Sequence, residues 1–135
     1  MNPPSFLVAS LMVAAGGGSG AWLRFVVGRG SVALLGPVAA SAFPWATLTC
    51  NVAGSFAMGL LAGWLARHGS QGEGWRLLLG VGVLGGFTTF SAFSLEFATF
   101  IQRGASGQAL VYVALSLLGS FAGLFLGLML MRVPA

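Results

Sequence analysis

The residues with the most distinctive chemistry lie in one stretch, residues 82–96, which reads Gly-Val-Leu-Gly-Gly-Phe-Thr-Thr-Phe-Ser-Ala-Phe-Ser-Leu-Glu. Glycines, hydroxyl side chains and phenylalanines alternate within a segment long enough to cross a bilayer. Gly85 and Gly86 each disfavour a helix by about 1 kcal/mol relative to Ala. Non-helical backbone survives in a membrane only against protein or a water-lined cavity. The pattern predicts a broken helix of the kind that forms ion sites. The alternative is a packing face whose hydroxyls bond to their own helix.

Composition indicates that the chain is an integral membrane protein. Of its 135 residues, 57% are hydrophobic and 6% are charged, and the mean hydropathy is +0.95. Two acids and six arginines cannot solvate a soluble domain of this size. The arginines are scattered singly, which argues against a nucleic-acid-binding surface despite the basic pI. Cys50 lies in an apolar run and is expected to be a buried thiol.

Charges and prolines divide the chain into four apolar segments, each near the roughly 20 residues that a membrane-spanning helix needs. The first segment has no basic region before it, so we expect a retained span rather than a signal peptide. Residues 31–43 are expected to form a connecting loop or a short interfacial helix. The predicted fold is a single all-α membrane domain of four transmembrane helices, the third of them broken. The predicted spans are residues 6–27, 44–66, 76–102 and 109–131.

The arginines are evenly divided between the two sides of the membrane. In a four-span topology Arg67, Arg76 and Arg132 lie on the side of the termini, and Arg24, Arg29 and Arg103 lie on the other. This tie leaves the positive-inside rule without a preferred orientation. Such a chain can insert both ways, and two opposite copies would form an antiparallel homodimer. The alternative is a single orientation set by a weak local bias.

Small residues and polar residues form separate stripes along the spans. Glycines recur at a spacing of four, which predicts close helix packing in lipid, at Gly16 and Gly20, Gly59 and Gly63, Gly82 and Gly86, and Gly119, Gly123 and Gly127. Polar stripes run along the second span (Thr47, Asn51, Ser55) and the fourth (Tyr112, Ser116, Ser120). Asn51 should face protein or water rather than lipid. Its amide could bind an anion or link helices.

Glu96 and Arg24 are the two charges closest to the hydrocarbon. Each lies a turn or two inside a predicted span end, where snorkelling or a mutual ion pair is expected, and a structural or vestibule role is favoured for both. With one histidine, one cysteine and two acids, the sequence offers no metal-ligand cluster, catalytic triad or carboxylate pair. We therefore do not expect an enzyme.

Three blocks of the sequence resemble the Fluc/CrcB fluoride channels. They are residues 17–24 (Gly-Gly-Ser-Gly-Ala-Trp-Leu-Arg), residues 47–54 (Thr-Leu-Thr-Cys-Asn-Val-Ala-Gly) and residues 85–96, in the family's order and spacing. The third block is the specific one, and the resemblance covers essentially the whole chain. It implies a multi-pass protein of the prokaryotic plasma (inner) membrane. It also implies a dual-topology homodimer with two antiparallel pores that exports toxic fluoride passively.

The resemblance also implies roles for individual residues. The backbone carbonyls of Gly85 and Thr88 match those that hold a central structural sodium ion. The positions that match the fluoride pore are Phe90 and Phe93, whose ring edges face the ion, with Asn51, Tyr112, Ser116 and Ser120, and with Thr89, Ser91 and Ser94 as candidate hydroxyl donors. Arg24 matches a vestibule-end arginine and Glu96 the acid that closes the block. Ala92 departs from the family, where a hydroxyl residue is usual.

The physical chemistry of fluoride agrees with this assignment. A pore must replace the water around this small ion with several donors, and aromatic ring edges carry positive partial charge. A small four-span multidrug or cation antiporter is the main competitor, but it needs a membrane-embedded carboxylate that the first span lacks. A non-transporting assembly subunit would explain the glycine stripes but not the hydroxyl and aromatic block.

Overall fold

The computed structural model describes residues 4–131, apart from the side chains of residues 70 and 71. Within this range four helical segments are long and apolar enough to cross a membrane, which confirms the predicted all-α fold. The long helices are α1 (Phe6–Ala42), α2 (Trp45–His68), a third helix in two parts, α3 (residues 73–87, π-helical over Arg76–Leu84) and α4 (Phe90–Gln102), and α5 (Ser106–Leu130); a short 3-10 helix, Gly69–Gly72, joins α2 to α3. Arg132, which the charge tally includes, lies outside the described residues.

The third helix is broken, as the sequence predicts, but the break does not fall at the glycines. Gly85 and Gly86 are helical. The backbone is extended instead at Thr88 (φ −84°, ψ 156°) and at Thr89 (φ −152°, ψ 124°). The expectation of a glycine break is therefore corrected. The break falls where threonine side chains compete with the backbone for hydrogen bonds.

The first helix is longer than the predicted span. It continues without interruption past Val27 and bends only at Gly36, whose φ of 78° is a left-handed conformation that favours glycine. The straight part, residues 6–35, is about 45 Å long, whereas the hydrocarbon core is about 30 Å thick. Its last turns therefore extend toward the headgroups. Residues 31–43 are thus largely helical rather than a loop.

The glycine stripes are packing faces, which confirms the prediction made for them. A Cβ would clash with the backbone of a neighbouring helix at Gly16, Gly20, Gly82 and Gly86 between α1 and α3, and at Gly59 and Gly127 between α2 and α5. Contact of this kind between backbones is the usual way in which helices associate in lipid. The packing fixes α3 against α1 and α2 against α5.

Candidate functional site

Asn51 holds the break in the third helix. Its Oδ1 accepts a hydrogen bond from the Thr89 N–H at 2.8 Å, and its Nδ2 donates to the Thr89 carbonyl at 3.1 Å. The Asn51 side chain thus satisfies both the N–H and the carbonyl of Thr89. Backbone groups at membrane depth require such partners because no water is available there. Asn51 therefore links α2 to the break, and one of its two amide hydrogens is not used in doing so.

The break diverts two backbone donors from the carbonyls that the sequence singled out. In an unbroken helix Gly85 would accept from the Thr89 N–H, and Thr88 would accept from the Ala92 N–H. The first of these donors goes to Asn51. The second goes to the Thr89 hydroxyl at 3.2 Å, which caps α4. The Gly85 and Thr88 carbonyls therefore lose the partners that a regular helix would supply.

Glu96 forms the second polar centre, and its partners are hydroxyls. Its Oε1 accepts from Thr47 at 2.7 Å, and its Oε2 accepts from Tyr112 at 2.5 Å. Of the two alternatives for Glu96 and Arg24, the mutual ion pair does not form: within residues 4–131 the salt bridge is the exposed Arg76–Glu73 pair, at 2.8 Å. Hydrogen bonds to a carboxylate are stronger than neutral ones, so they replace the ion pair as the support of Glu96.

A buried polar layer lies beside Glu96. Thr47 and Ser116 are 8% and 5% exposed, and Tyr112 is fully buried. The Ser116 hydroxyl is buried and has no hydrogen-bond partner among the described residues. Because an unsatisfied buried hydroxyl costs about 1–3 kcal/mol, a donor at this position is available to a ligand.

Two cavities lie along the polar stripes. The break cavity, of about 370 Å³, has Asn51, Ser55, Thr88, Thr89 and Ser120 among its lining residues. The mouth cavity, of about 300 Å³, has Ser31, Ser41, Glu96, Thr99 and Arg103 among its lining residues. One helical turn separates Thr47 from Asn51 and Ser116 from Ser120. The buried layer of Thr47, Tyr112 and Ser116 therefore lies between Glu96, which lines the mouth cavity, and Asn51 and Ser120, which line the break cavity.

The two candidate pore phenylalanines have different surroundings. Their ring centroids are 5.6 Å apart. Phe93 packs on the Tyr112 ring at a centroid distance of 5.1 Å, whereas Phe90 is 77% exposed and lines the break cavity. Only Phe93 is thus part of the core that holds Tyr112.

The remaining candidate residues are less closely tied to this site. The Thr88 hydroxyl donates to the Leu84 carbonyl and the Ser94 hydroxyl to the Phe90 carbonyl, which is the self-bonded alternative considered for this block. Ser91 is exposed, and its hydroxyl lies 3.2 Å from that of Thr89. Arg24 is half-buried and is not among the residues that line either cavity.

Three residues of the site are not predicted from the sequence. The sequence places Thr47 on a polar stripe but does not predict its hydrogen bond to Glu96. Phe43, expected in a loop or interfacial helix, packs against Tyr112 with a centroid distance of 5.6 Å. Arg103 was counted only as a topological charge, yet it lines the mouth cavity. Arg103 follows Glu96 by seven residues, which places both on one face of α4. This spacing could have predicted that the two residues lie beside the same cavity.

Comparison with known proteins agrees with this geometry. The family model described as "CrcB-like protein, Camphor Resistance (CrcB)" matches residues 11–128. The chain belongs to the CrcB family. Curated bacterial relatives carry the name "Fluoride-specific ion channel FluC".

The Novosphingobium aromaticivorans relative is 59% identical over 126 residues, which cover 93% of this chain and 98% of the relative. The Caulobacter vibrioides relative is 53% identical over 123 residues, covering 90% and 94%. The Erythrobacter litoralis relative is 51% identical over 135 residues, covering 98% and 97%. As a CrcB family member with four apolar spans, the chain is a multi-pass bacterial membrane protein.

Proposed function

We propose that this CrcB family chain is a fluoride-selective channel that conducts fluoride passively out of the cell and protects against fluoride toxicity. The observation that carries the proposal is the match, over nearly the full length of both chains, to relatives named as fluoride-specific channels. The site is consistent with it, because the buried layer offers hydroxyl groups and the break cavity offers the amide of Asn51. Such a path suits a channel rather than an enzyme.

The proposed route runs from the mouth cavity through the buried layer to the break cavity. Fluoride would pass Tyr112, whose single hydroxyl proton is donated to Glu96, and would exchange water for the Ser116 hydroxyl and then for the free amide hydrogen of Asn51. Ser120 and Thr89 continue the donor set, and Phe90 and Phe93 present ring edges beside it. Glu96 accepts hydrogen bonds from the Thr47 and Tyr112 hydroxyls. It therefore fixes the orientation of these two hydroxyls at the entrance to the layer.

The test is efflux of fluoride and chloride from liposomes that contain the purified protein, at equal gradients and with potassium movement short-circuited by an ionophore. We expect rapid fluoride efflux and chloride efflux near that of protein-free liposomes. Equal rates for the two ions would refute selective conduction. Efflux that requires a proton gradient, or uptake of cationic drugs, would favour the antiporter.

The assembly that we propose is an antiparallel homodimer. Two observations support it. The arginines are equally numerous on the two sides of the membrane, and Phe90 is exposed at the break, where a lone subunit would present an aromatic ring to lipid. Two lysines added after Arg132 should fix one orientation. That variant should be inactive alone and active when coexpressed with an oppositely biased copy. Full activity of the fixed variant alone would contradict the antiparallel assembly.

We further propose that the Gly85 and Thr88 carbonyls of both subunits hold a structural sodium ion. Both carbonyls have lost their helical donors, and unsatisfied backbone at this depth costs several kcal/mol. Oxygen ligands without a carboxylate suit a hard monovalent cation better than zinc or copper. Within the described residues no cluster of histidine, cysteine and acidic side chains offers a competing site. When bound, the ion would supply positive charge that satisfies these carbonyls.

Gly85→Ala tests the sodium site. Within one subunit the new Cβ would meet only the Gly80 carbonyl, at an ordinary 3.7 Å, so the fold of the subunit should tolerate the substitution. Gly18→Ala is the matched control, at an exposed helical glycine with nothing within 4 Å. The wild type and the control should melt at a higher temperature in sodium than in N-methylglucamine salts. Gly85→Ala should lose this difference. A sodium effect of wild-type size in Gly85→Ala, or none in the wild type, would contradict the proposed site.

A further inference from the structure

The mouth cavity contains one positively charged residue, and it is not the arginine that the sequence suggested. Arg103 is among the residues that line the cavity, whereas Arg24 is not. Arg103 ends α4, where the chain turns at Gly104 with a φ of 71°. It is exposed, so its guanidinium lies at the rim while Glu96 lies about 10 Å deeper along the same helix face.

We propose that Arg103 is the anion-collecting residue of the mouth cavity, which raises the local concentration of fluoride ahead of the buried layer. The other lining residues, apart from Glu96, are uncharged. Without Arg103 the mouth would therefore present only the carboxylate of Glu96 to an incoming anion. This inference rests on the proposed function, since it assigns a step in fluoride conduction.

The size of the cavity sets the expected effect. A volume of about 300 Å³ corresponds to a width of roughly 8 Å, so an ion inside lies within about that distance of every lining group. A unit charge at this distance changes the local ion concentration about two- to tenfold, depending on the effective dielectric constant. Salt screens the effect, because the Debye length falls from about 30 Å at 0.01 M to about 3 Å at 1 M.

Arg103→Gln tests the proposal, and Arg29→Gln is its matched control. Arg29 is exposed, carries the same charge on the same side of the membrane, and follows Gly28 without lining the cavity. Both substitutions therefore remove one positive charge from the same side of the membrane. The measurement is the initial rate of fluoride efflux from liposomes at about 10 mM ionic strength and again at about 1 M, adjusted with gluconate.

At low ionic strength we expect Arg103→Gln to conduct about two- to tenfold more slowly than Arg29→Gln. The two variants should converge at high ionic strength, and Arg103→Lys should stay near the wild type. Equal rates for the two glutamine variants at low ionic strength would overturn the role of Arg103. A wild type that does not conduct fluoride would instead refute the proposed function.

Modification after folding removes any dependence on how Arg103→Gln assembles. Arg103→Cys can be labelled in the liposome with thiosulfonate reagents of either charge, because the native Cys50 is fully buried. We expect the positive reagent to restore conduction at low ionic strength and the negative reagent to reduce it further. Identical effects of the two reagents would overturn the proposal, because size rather than charge would then matter.

Discussion

Asn51→Ala should both destabilise the protein and stop fluoride conduction, because it removes the side chain that holds the break. The change deletes two hydrogen bonds, at 2.8 and 3.1 Å, to the N–H and the carbonyl of Thr89. Thr89 is only 8% exposed, so both groups would be left nearly without water.

The magnitude follows from the cost of an unsatisfied buried group, about 1–3 kcal/mol each, or about 2–6 kcal/mol for the pair. Water can enter the break cavity and partly replace the lost partners, so we expect a loss of about 2–4 kcal/mol. At roughly 3–4 °C per kcal/mol, this corresponds to a decrease of about 6–16 °C in the melting midpoint.

The assay is thermal unfolding of the purified protein by tryptophan fluorescence, followed by fluoride efflux from liposomes. Thr49→Ala is the control, because this exposed residue of α2 lies two positions before Asn51. Asn51→Asp should be intermediate in stability, since the carboxylate still accepts from Thr89 but cannot donate. Melting of Asn51→Ala within about 2 °C of the control, with wild-type efflux, would refute this reasoning. Normal melting with lost efflux would show that Asn51 only donates to the ion.

Two further predictions concern the aromatic residues. Phe93→Leu should lower both fluoride efflux and the melting midpoint, because Phe93 packs on Tyr112, whereas Phe90→Leu should lower efflux with little effect on the subunit's stability. Equal destabilisation by the two changes would contradict this distinction. Tyr112→Phe should keep the ring packing but leave one oxygen of Glu96 without its donor, at a cost of about 1–3 kcal/mol. An unchanged melting midpoint in Tyr112→Phe would show that water replaces the hydroxyl.

The four-span fold could be predicted from the sequence because it depends on composition, segment length and glycine spacing, all of which are local properties. The location of the break could not. Helix propensity pointed to Gly85 and Gly86, yet both remain helical, and Gly86 packs against the backbone of α1. The break depends on a partner 38 residues away, the Asn51 amide. Propensity describes single positions and carries no information about such a contact.

The candidate site was predictable residue by residue but not as a set of contacts. Asn51, Ser116 and Ser120 belong to the polar stripes that the sequence shows, and Asn51, Thr89 and Ser120 line the break cavity. The hydrogen bonds of Glu96 were not predicted, because the sequence suggests only snorkelling or an ion pair with Arg24 for this acid. Two hydroxyls can satisfy both oxygens of a carboxylate without an arginine. Charge pairing alone therefore does not determine which groups approach an acid inside a membrane.

The two proposed ion sites share one side chain, and this makes them dependent on each other. The Asn51 Oδ1 takes the Thr89 N–H away from the Gly85 carbonyl, which leaves that carbonyl free for a cation. The same amide offers its remaining N–H to the break cavity, where fluoride would pass. In Asn51→Ala nothing holds the break, so the Gly85 carbonyl is no longer fixed for a cation, and the stabilisation by sodium should disappear together with conduction. Sodium-dependent melting of wild-type size in a non-conducting Asn51→Ala would show that the two sites are independent.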